Sequence, residues 1–364
     1  MKICYDYQAF YNQKYGGVSR YHIELANRIS RFDDCEVIIP SLWNDNEYLG
    51  KCYHGEKNLL YKCIKHRFSR TSNRLYTRAY LYLNDCDILH PTWVDSYVWK
   101  IKTKAKIVIT VHDMIHELFW KDKVPEEIER KKIAIFKSDL IITISDNTKK
   151  DILSLYPCIP ESKIKVVFHG TSHLPNPKYP IDFDVPHKYV LYVGGRQDYK
   201  QGMFAVNAFK YMLNEFPDMM LVCVGGGEFT AEENALIHKN KLQYNVIQRN
   251  VTDEELAYLY KHALCFIYPS LYEGFGLPIL EAFDNRCPVI CANNSSLPEV
   301  GGNAVLYFEN YDAYGLCQQI RKLVLDEGLR ENLITKGAHR VEKFSWDKCA
   351  KETYELYRNL CKDY

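Results

Sequence analysis

The chain has 364 residues, 47% hydrophobic and 26% charged, which is enough for two ordinary globular domains with buried cores. Its 47 Lys and Arg against 46 Asp and Glu leave a formal charge of +1, so no nucleic acid or other polyelectrolyte partner is indicated by overall charge. Thirteen cysteines are scattered without a Cys-x-x-Cys pair, which argues against a disulfide framework or a zinc site and for buried thiols in a reducing compartment.

The first residues, Met1 to Asp6, read as a strand start rather than a signal peptide, and no run reaches the roughly 18 apolar residues of a membrane span. The expected location is cytoplasmic, at most peripheral on the inner face of the cell membrane. Lys2 to Tyr5 is followed by Gly16-Gly17 and an amphipathic helix, Ser19 to Ile29. Strand, glycine pair and helix make a doubly wound opening, although Gly-x-Gly-x-x-Gly is absent. Glu36 to Pro40 is a second strand. Residues 41 to 85 read as irregular and basic. Lys51, Lys57, Lys62, Lys65, Arg67, Arg70, Arg74 and Arg78 are interleaved with Leu59, Leu60, Ile64, Phe68, Leu75 and Tyr76. Residues 51–78 therefore read either as a solvated basic face or as a surface for anionic lipid headgroups.

Short strands at Asp87 to Pro91 and Ala105 to Val111 lead to His90 and to His112-Asp113. Polar residues at the carboxyl ends of parallel strands face the ligand side of an α/β domain, and a titratable group ending an apolar strand needs a reason. A helix from Pro125 to Phe136, a strand from Asp139 to Ser145, a helix capped by Ser145, and a strand from Lys163 to Phe168 complete an N-terminal Rossmann-like domain over residues 1–174. Residues 175–186 carry four prolines and read as a stiff linker.

The pattern restarts with the strand Tyr189 to Val193, the loop Gly194-Gly195-Arg196 with Lys200, and a helix from Met203 to Phe216. Arg clamps phosphate oxygens through paired N–H groups, and Lys supplies a compact charge. Strands at Leu221 to Val224 and Val246 to Gln248 follow. Thr252-x-x-Glu255 is a capping box for the helix to His262. The strand Leu264 to Tyr268 then runs into Glu273-Gly274-Phe275-Gly276-Leu277-Pro278, with Glu281 one turn into a helix. This geometry aims backbone N–H groups and the positive end of a helix dipole at one point, where an anion, most naturally a phosphate, would sit. Glu273 and Glu281 suit sugar or ribose hydroxyls, because a carboxylate only accepts hydrogen bonds. Strands at Pro288 to Ala292 and Val305 to Phe308, and helices at Tyr311–Leu325 and Leu329–Phe344, close the domain over residues 187–345. Within the last segment, 346–364, Trp346 to Lys362 reads as a helix with aromatics.

Glu273 and Glu281, with Gly274 to Pro278 between them, resemble the Glu-x7-Glu signature of the retaining glycosyltransferases of family 4. The resemblance covers nearly the whole chain and tightens from Val190 onward. It implies the GT-B architecture: two Rossmann-like doubly wound α/β domains facing a central cleft, with the last helix crossing back to the first domain. It implies a nucleotide diphosphate sugar donor, a GDP- or UDP-sugar. It also implies a glycan or lipid-linked acceptor hydroxyl, in surface polysaccharide or lipopolysaccharide assembly. By the same resemblance His112 approaches the donor sugar, Arg196 and Lys200 hold the diphosphate, and Glu281 binds the ribose. Glu273 lies near the sugar, and the backbone of Gly274, Phe275, Gly276 and Leu277 faces the sugar and pyrophosphate. Gly16 and Gly17 admit the diphosphate, Arg249, Asn250 and Val251 lie near the base, and His90 lines the acceptor side. Lys200 stands one residue earlier than in some members. No metal and no cofactor beyond the co-substrate is expected. Two other readings stay open: a GT-B-like sugar-nucleotide epimerase, separated by donor epimerisation without acceptor, and a catalytically silent nucleotide-sugar-binding subunit, separated by donor turnover.

Overall fold

The computed structural model describes residues 1–42, 44–52, 69–171, 174–175, 185–196 and 198–362. The chain divides into two compact units. The first comprises Met1–Gly170 together with Trp346–Tyr364, and the second is Thr171–Ser345. The boundary thus falls at 170/171, ahead of the proline-rich segment, most of which lies outside the described residues.

The first unit is built on a six-stranded sheet of β1 (Lys2–Tyr5), β2 (Glu36–Ile38), β3 (Ile88–His90), β4 (Lys106–Val111), β5 (Leu140–Thr143) and β6 (Ile164–Val166). All pairings are parallel, in the order β2-β1-β3-β4-β5-β6. Strands such as Leu140–Thr143 are buried along their whole length, as a sheet covered by helices on both faces requires. The helix Trp346–Lys362 packs on this unit. Trp346, Cys349, Ala350, Tyr354 and Tyr357 recur at helical spacing and join one core with Tyr5, Tyr21 and Ile23.

The second unit repeats the plan with β7 (Tyr189–Val193), β8 (Met220–Val224), β9 (Val246–Arg249), β10 (Cys265–Tyr268), β11 (Val289–Ala292) and β12 (Val305–Phe308). The order is β12-β11-β10-β7-β8-β9, again all parallel. Strand order reverses between β7 and β10 here, and between β1 and β3 in the first unit. Ligands of doubly wound sheets bind beyond the carboxyl ends of the strands at such a switch point.

The structure corrects several boundaries. The stretch expected to be irregular holds two helices, Glu47–Cys52 and Ser69–Leu83. The second was hidden because its buried face carries polar residues. Asn73 and Thr77 lie beneath Leu81, with Asn73 Oδ1 accepting from Leu42 N at 2.8 Å and Thr77 Oγ1 donating to Pro40 O at 2.9 Å. Its apolar residues Leu75, Tyr76, Tyr82 and Leu83 face solvent instead. Lys57, Lys62, Lys65 and Arg67 of the basic stretch lie outside the described residues. The helix expected to run to Phe216 ends at Phe209 and continues as a 3-10 turn, Met212–Asn214. An unexpected helix, Ala231–Lys239, follows β8 and is opened by a capping box of Thr230 and Glu233. The expected Thr252–Glu255 box is present. Among the described residues, no helix is long and apolar enough to cross a membrane, and the eleven cysteines whose side chains are described are free thiols.

Candidate active site

The loops after β7 and β10 flank the switch point of the second sheet and are stitched together. Leu271 N donates to Tyr199 O at 2.7 Å, and Lys200 Nζ donates to both oxygens of Glu273, at 2.7 and 3.0 Å. The Lys200 side chain keeps 26% of its surface exposed and that of Glu273 only 9%, so the ammonium is the accessible end of the pair. Lys200 also lies 5.9 Å from the centre of the Tyr268 ring. Tyr268 ends β10, and burial and the adjacent Glu273 carboxylate both push its phenol well above the ordinary range.

The turn from Glu273 to Gly276 is held from beneath. Ser296 Oγ donates to Glu273 O at 2.8 Å and Phe275 O at 2.9 Å, while Glu273 N donates to Ser295 Oγ at 3.0 Å. Phe275 is buried against Phe344, with ring centres 5.7 Å apart. Gly276, at φ 109°, is the N-cap of the helix Leu277–Asp284 and occupies a conformation that L side chains rarely adopt. A Cβ there would also meet Leu297 Cδ2 at 3.1 Å. No side chain caps this helix; Pro278 has no N–H and Ile279 N donates to Gly276 O at 3.0 Å, so the Leu277 N–H is the first-turn donor left for a ligand. Glu281, on the same helix, accepts from Tyr260 Oη at 3.5 Å.

Arg196 is placed differently from Lys200. Its side chain is buried and every guanidinium nitrogen is engaged by protein. Nε reaches Glu233 Oε1 at 3.1 Å, Nη1 reaches Gly225 O at 2.7 Å, and Nη2 reaches Gly227 O, Glu228 O and Glu233 Oε2, each at 3.0 Å. The ring of Phe229 covers the guanidinium at 4.8 Å. Gly225, Gly226 and Gly227 all have φ between 72° and 85°, which turns successive carbonyls onto the cation. Glu233 was not singled out from the sequence, yet Thr230-x-x-Glu233 has the same capping-box spelling as Thr252-x-x-Glu255 and could have been found by it. Arg249 and Asn250 lie at the end of β9, two strands from β7. Arg249 Nη1 donates to Gln248 O at 2.9 Å, and Gln248 Nε2 donates to Asn250 Oδ1 at 2.9 Å. Val251 follows them, half-buried.

In the first unit, Gly16 is the N-cap of the helix Gly17–Ile29 and lies against the Gln13 amide, whose Oε1 accepts from Ser19 N at 2.9 Å. A Cβ at Gly17 would meet nothing within 4 Å, so internal packing does not account for glycine there. His112 follows β4, and Tyr21 meets it edge-on at 5.0 Å. Burial pushes its imidazole down to about 4, partly opposed by Asp113. Its Nε2 is buried and has no hydrogen-bond partner among the described residues. His90, expected on the acceptor side, is fully enclosed. It bonds to Tyr357 Oη and, at 3.0 Å, to Thr110 Oγ1, so it contacts no acceptor.

Residues 15–173 match the family described as Glycosyltransferase Family 4, and residues 180–340 match Glycosyl transferases group 1. The O-antigen chain mannosyltransferase B of Escherichia coli is 30% identical over 94% of this chain and 96% of its own. The chain is a family 4 glycosyltransferase. Solved structures share the fold at lower identity. A sucrose-phosphate synthase from Thermosynechococcus elongatus superposes over 100% of both chains with a TM-score of 0.73 at 19% identity. Anabaena HepE, solved with UDP and glucose, covers 98% of this chain and 99% of its own with a TM-score of 0.73 at 15% identity. The GT-B class of this glycosyltransferase is therefore that of its two parallel six-stranded sheets.

Proposed function

We propose that this glycosyltransferase moves a hexose from a GDP- or UDP-sugar to a hydroxyl of a glycan or lipid-linked acceptor, with retention and without a metal, in surface polysaccharide assembly. The observation that carries the reading is the Lys200–Glu273 pair beside the uncapped helix N-terminus at Gly276. A diphosphate draws the ammonium, and the released Glu273 carboxylate accepts hydrogen bonds from the sugar. The bond from C1 to the diphosphate oxygen breaks, and the acceptor oxygen bonds to C1 on the same face. The acceptor proton leaves with the diphosphate. Negative charge grows on the departing phosphate, where a fixed cation and helix dipole contribute most. Lys200 and the helix N-terminus occupy the place of a metal, so EDTA leaves turnover unchanged. The name of the Escherichia coli relative favours mannose as the transferred sugar and an O-antigen-type glycan as the product.

The exposed face of the Ser69–Leu83 helix supports contact with an anionic membrane, where a lipid-linked acceptor would reside. Leu75, Tyr76, Tyr82 and Leu83 are exposed beside Arg78.

The test is a thermal-shift screen of GDP- and UDP-sugars, followed by turnover with the donor that binds. Lys200→Ala should lower turnover by about 10²–10³-fold. Binding without any turnover in wild type, or a near-native rate in the variant, would overturn the reading.

A further inference from the structure

Three backbone N–H groups in the loop after β10, those of Gly274, Gly276 and Leu277, have no acceptor among the described residues. We propose that Ser296 is the positioning residue that aims the two glycine N–H groups, by fixing the two carbonyls on the other side of the turn, and so sets the preference of the site for a diphosphate over a monophosphate. The proposal rests on the glycosyltransferase reading and adds to that site a residue that acts through the backbone.

Ser296 follows β11 and is fully buried. Its Oγ donates to Glu273 O at 2.8 Å and to Phe275 O at 2.9 Å, so two carbonyls share one hydroxyl proton. A trans peptide is planar and holds its C=O and the following N–H on opposite sides. Drawing Glu273 O and Phe275 O onto one hydroxyl therefore points the N–H groups of Gly274 and Gly276 the other way, away from Ser296. Glycine is also the residue that least resists rotation of its backbone. The tether to Ser296, not the local sequence, is what holds these two peptides in one orientation.

The loop that carries Ser296 is itself held in a costly conformation. Ser295 has φ 46°, in the left-handed region that favours glycine. Its Oγ accepts from Glu273 N at 3.0 Å, while its own proton goes to Asn294 Oδ1 at 3.1 Å. Asn294 Nδ2 in turn donates to Ser270 O at 3.1 Å, just beyond β10. Three successive side chains after β11 thus grip the backbone from Ser270 to Phe275. Glycine at 295 would relieve the strain but lose the acceptor for Glu273 N. Strain of this kind persists where the surroundings over-determine the backbone, and here they do so under the ligand turn.

The test uses the full chain and calorimetry with GDP and UDP against GMP and UMP. Wild type should bind at least one diphosphate more tightly than its monophosphate. Ser296→Ala should cut that advantage about tenfold, the worth of one hydrogen bond to a charged group, and lower kcat with the matching donor by a similar factor. Ser295→Gly should also reduce the advantage while melting no lower than wild type, because it relieves a left-handed residue; it decides the matter if Ser296→Ala does not fold. Monophosphate affinity should stay level in both. An unchanged advantage in a folded variant overturns the proposal, and so does an equal loss for both nucleotides, which is what a merely structural role would give. A wild type that binds neither diphosphate removes the transferase reading and this proposal with it, whereas variants that match a binding wild type refute this proposal alone.

Discussion

The core of the first unit holds four histidines that come together only in the fold. His22 meets His90 at 5.1 Å and His112 at 6.3 Å between ring centres, and His112 meets His169 at 5.6 Å. Tyr21 lies 5.0 Å from His22 and 4.8 Å from His169. Burial pushes all four imidazoles down, His90 to about 3 and His112 to about 4, with His22 and His169 also well below the ordinary value. In the unfolded chain each titrates near 6.5. Above that pH both states are neutral and stability is complete. As pH falls below it the unfolded state takes up protons that the folded state refuses, and stability drops until pH reaches the folded values. One such group contributes about 1.4 kcal/mol per pH unit, so the four together approach about 5 kcal/mol per unit. His112 is half-buried and counts for less than the other three. Asp6, raised by burial, acts with the opposite sign, but it is one group against four. Domains are stable by only about 5–15 kcal/mol, so the first unit should lose a large part of its stability as pH falls from about 6.5 to 5. Urea melts followed by circular dichroism at several pH values between 8 and 5 would measure this. His169→Phe should remove about a quarter of the slope. A urea midpoint that stays level across that range would refute the reasoning.

Two further outcomes follow from particular contacts. Glu233→Gln leaves the buried Arg196 guanidinium without its carboxylate, which should destabilise the second unit by about 3–5 kcal/mol in thermal melts; an unchanged melting temperature would show that the glycine carbonyls alone hold it. Replacing both Leu75 and Tyr82 by Asp should abolish flotation of the protein with anionic liposomes while leaving soluble turnover intact. Equal flotation of wild type on anionic and neutral vesicles would end the membrane proposal.

Much of the second unit's site was legible from local pattern. The strand Cys265–Tyr268, the turn to Gly276 and the helix from Leu277 stand almost where the apolar run, the glycines and Pro278 put them. The strand Tyr189–Val193 and the helix from Trp346 to Lys362 were found to the residue. The Ser69–Leu83 helix was missed because its apolar residues face outward and its buried stripe is polar.

Sequence alone determined the alternation of buried strands and amphipathic helices, the two glycine-bearing loops and the carboxylates beside them. These are properties of residues a few positions apart, and backbone sterics and side-chain period act at that range. Only the tertiary structure decided the partners: Glu233 for Arg196, Glu273 for Lys200, and one shared core for histidines 22, 90, 112 and 169. A buried charge or imidazole takes whatever partner the sheet order brings beside it, and that order joins segments tens to hundreds of residues apart.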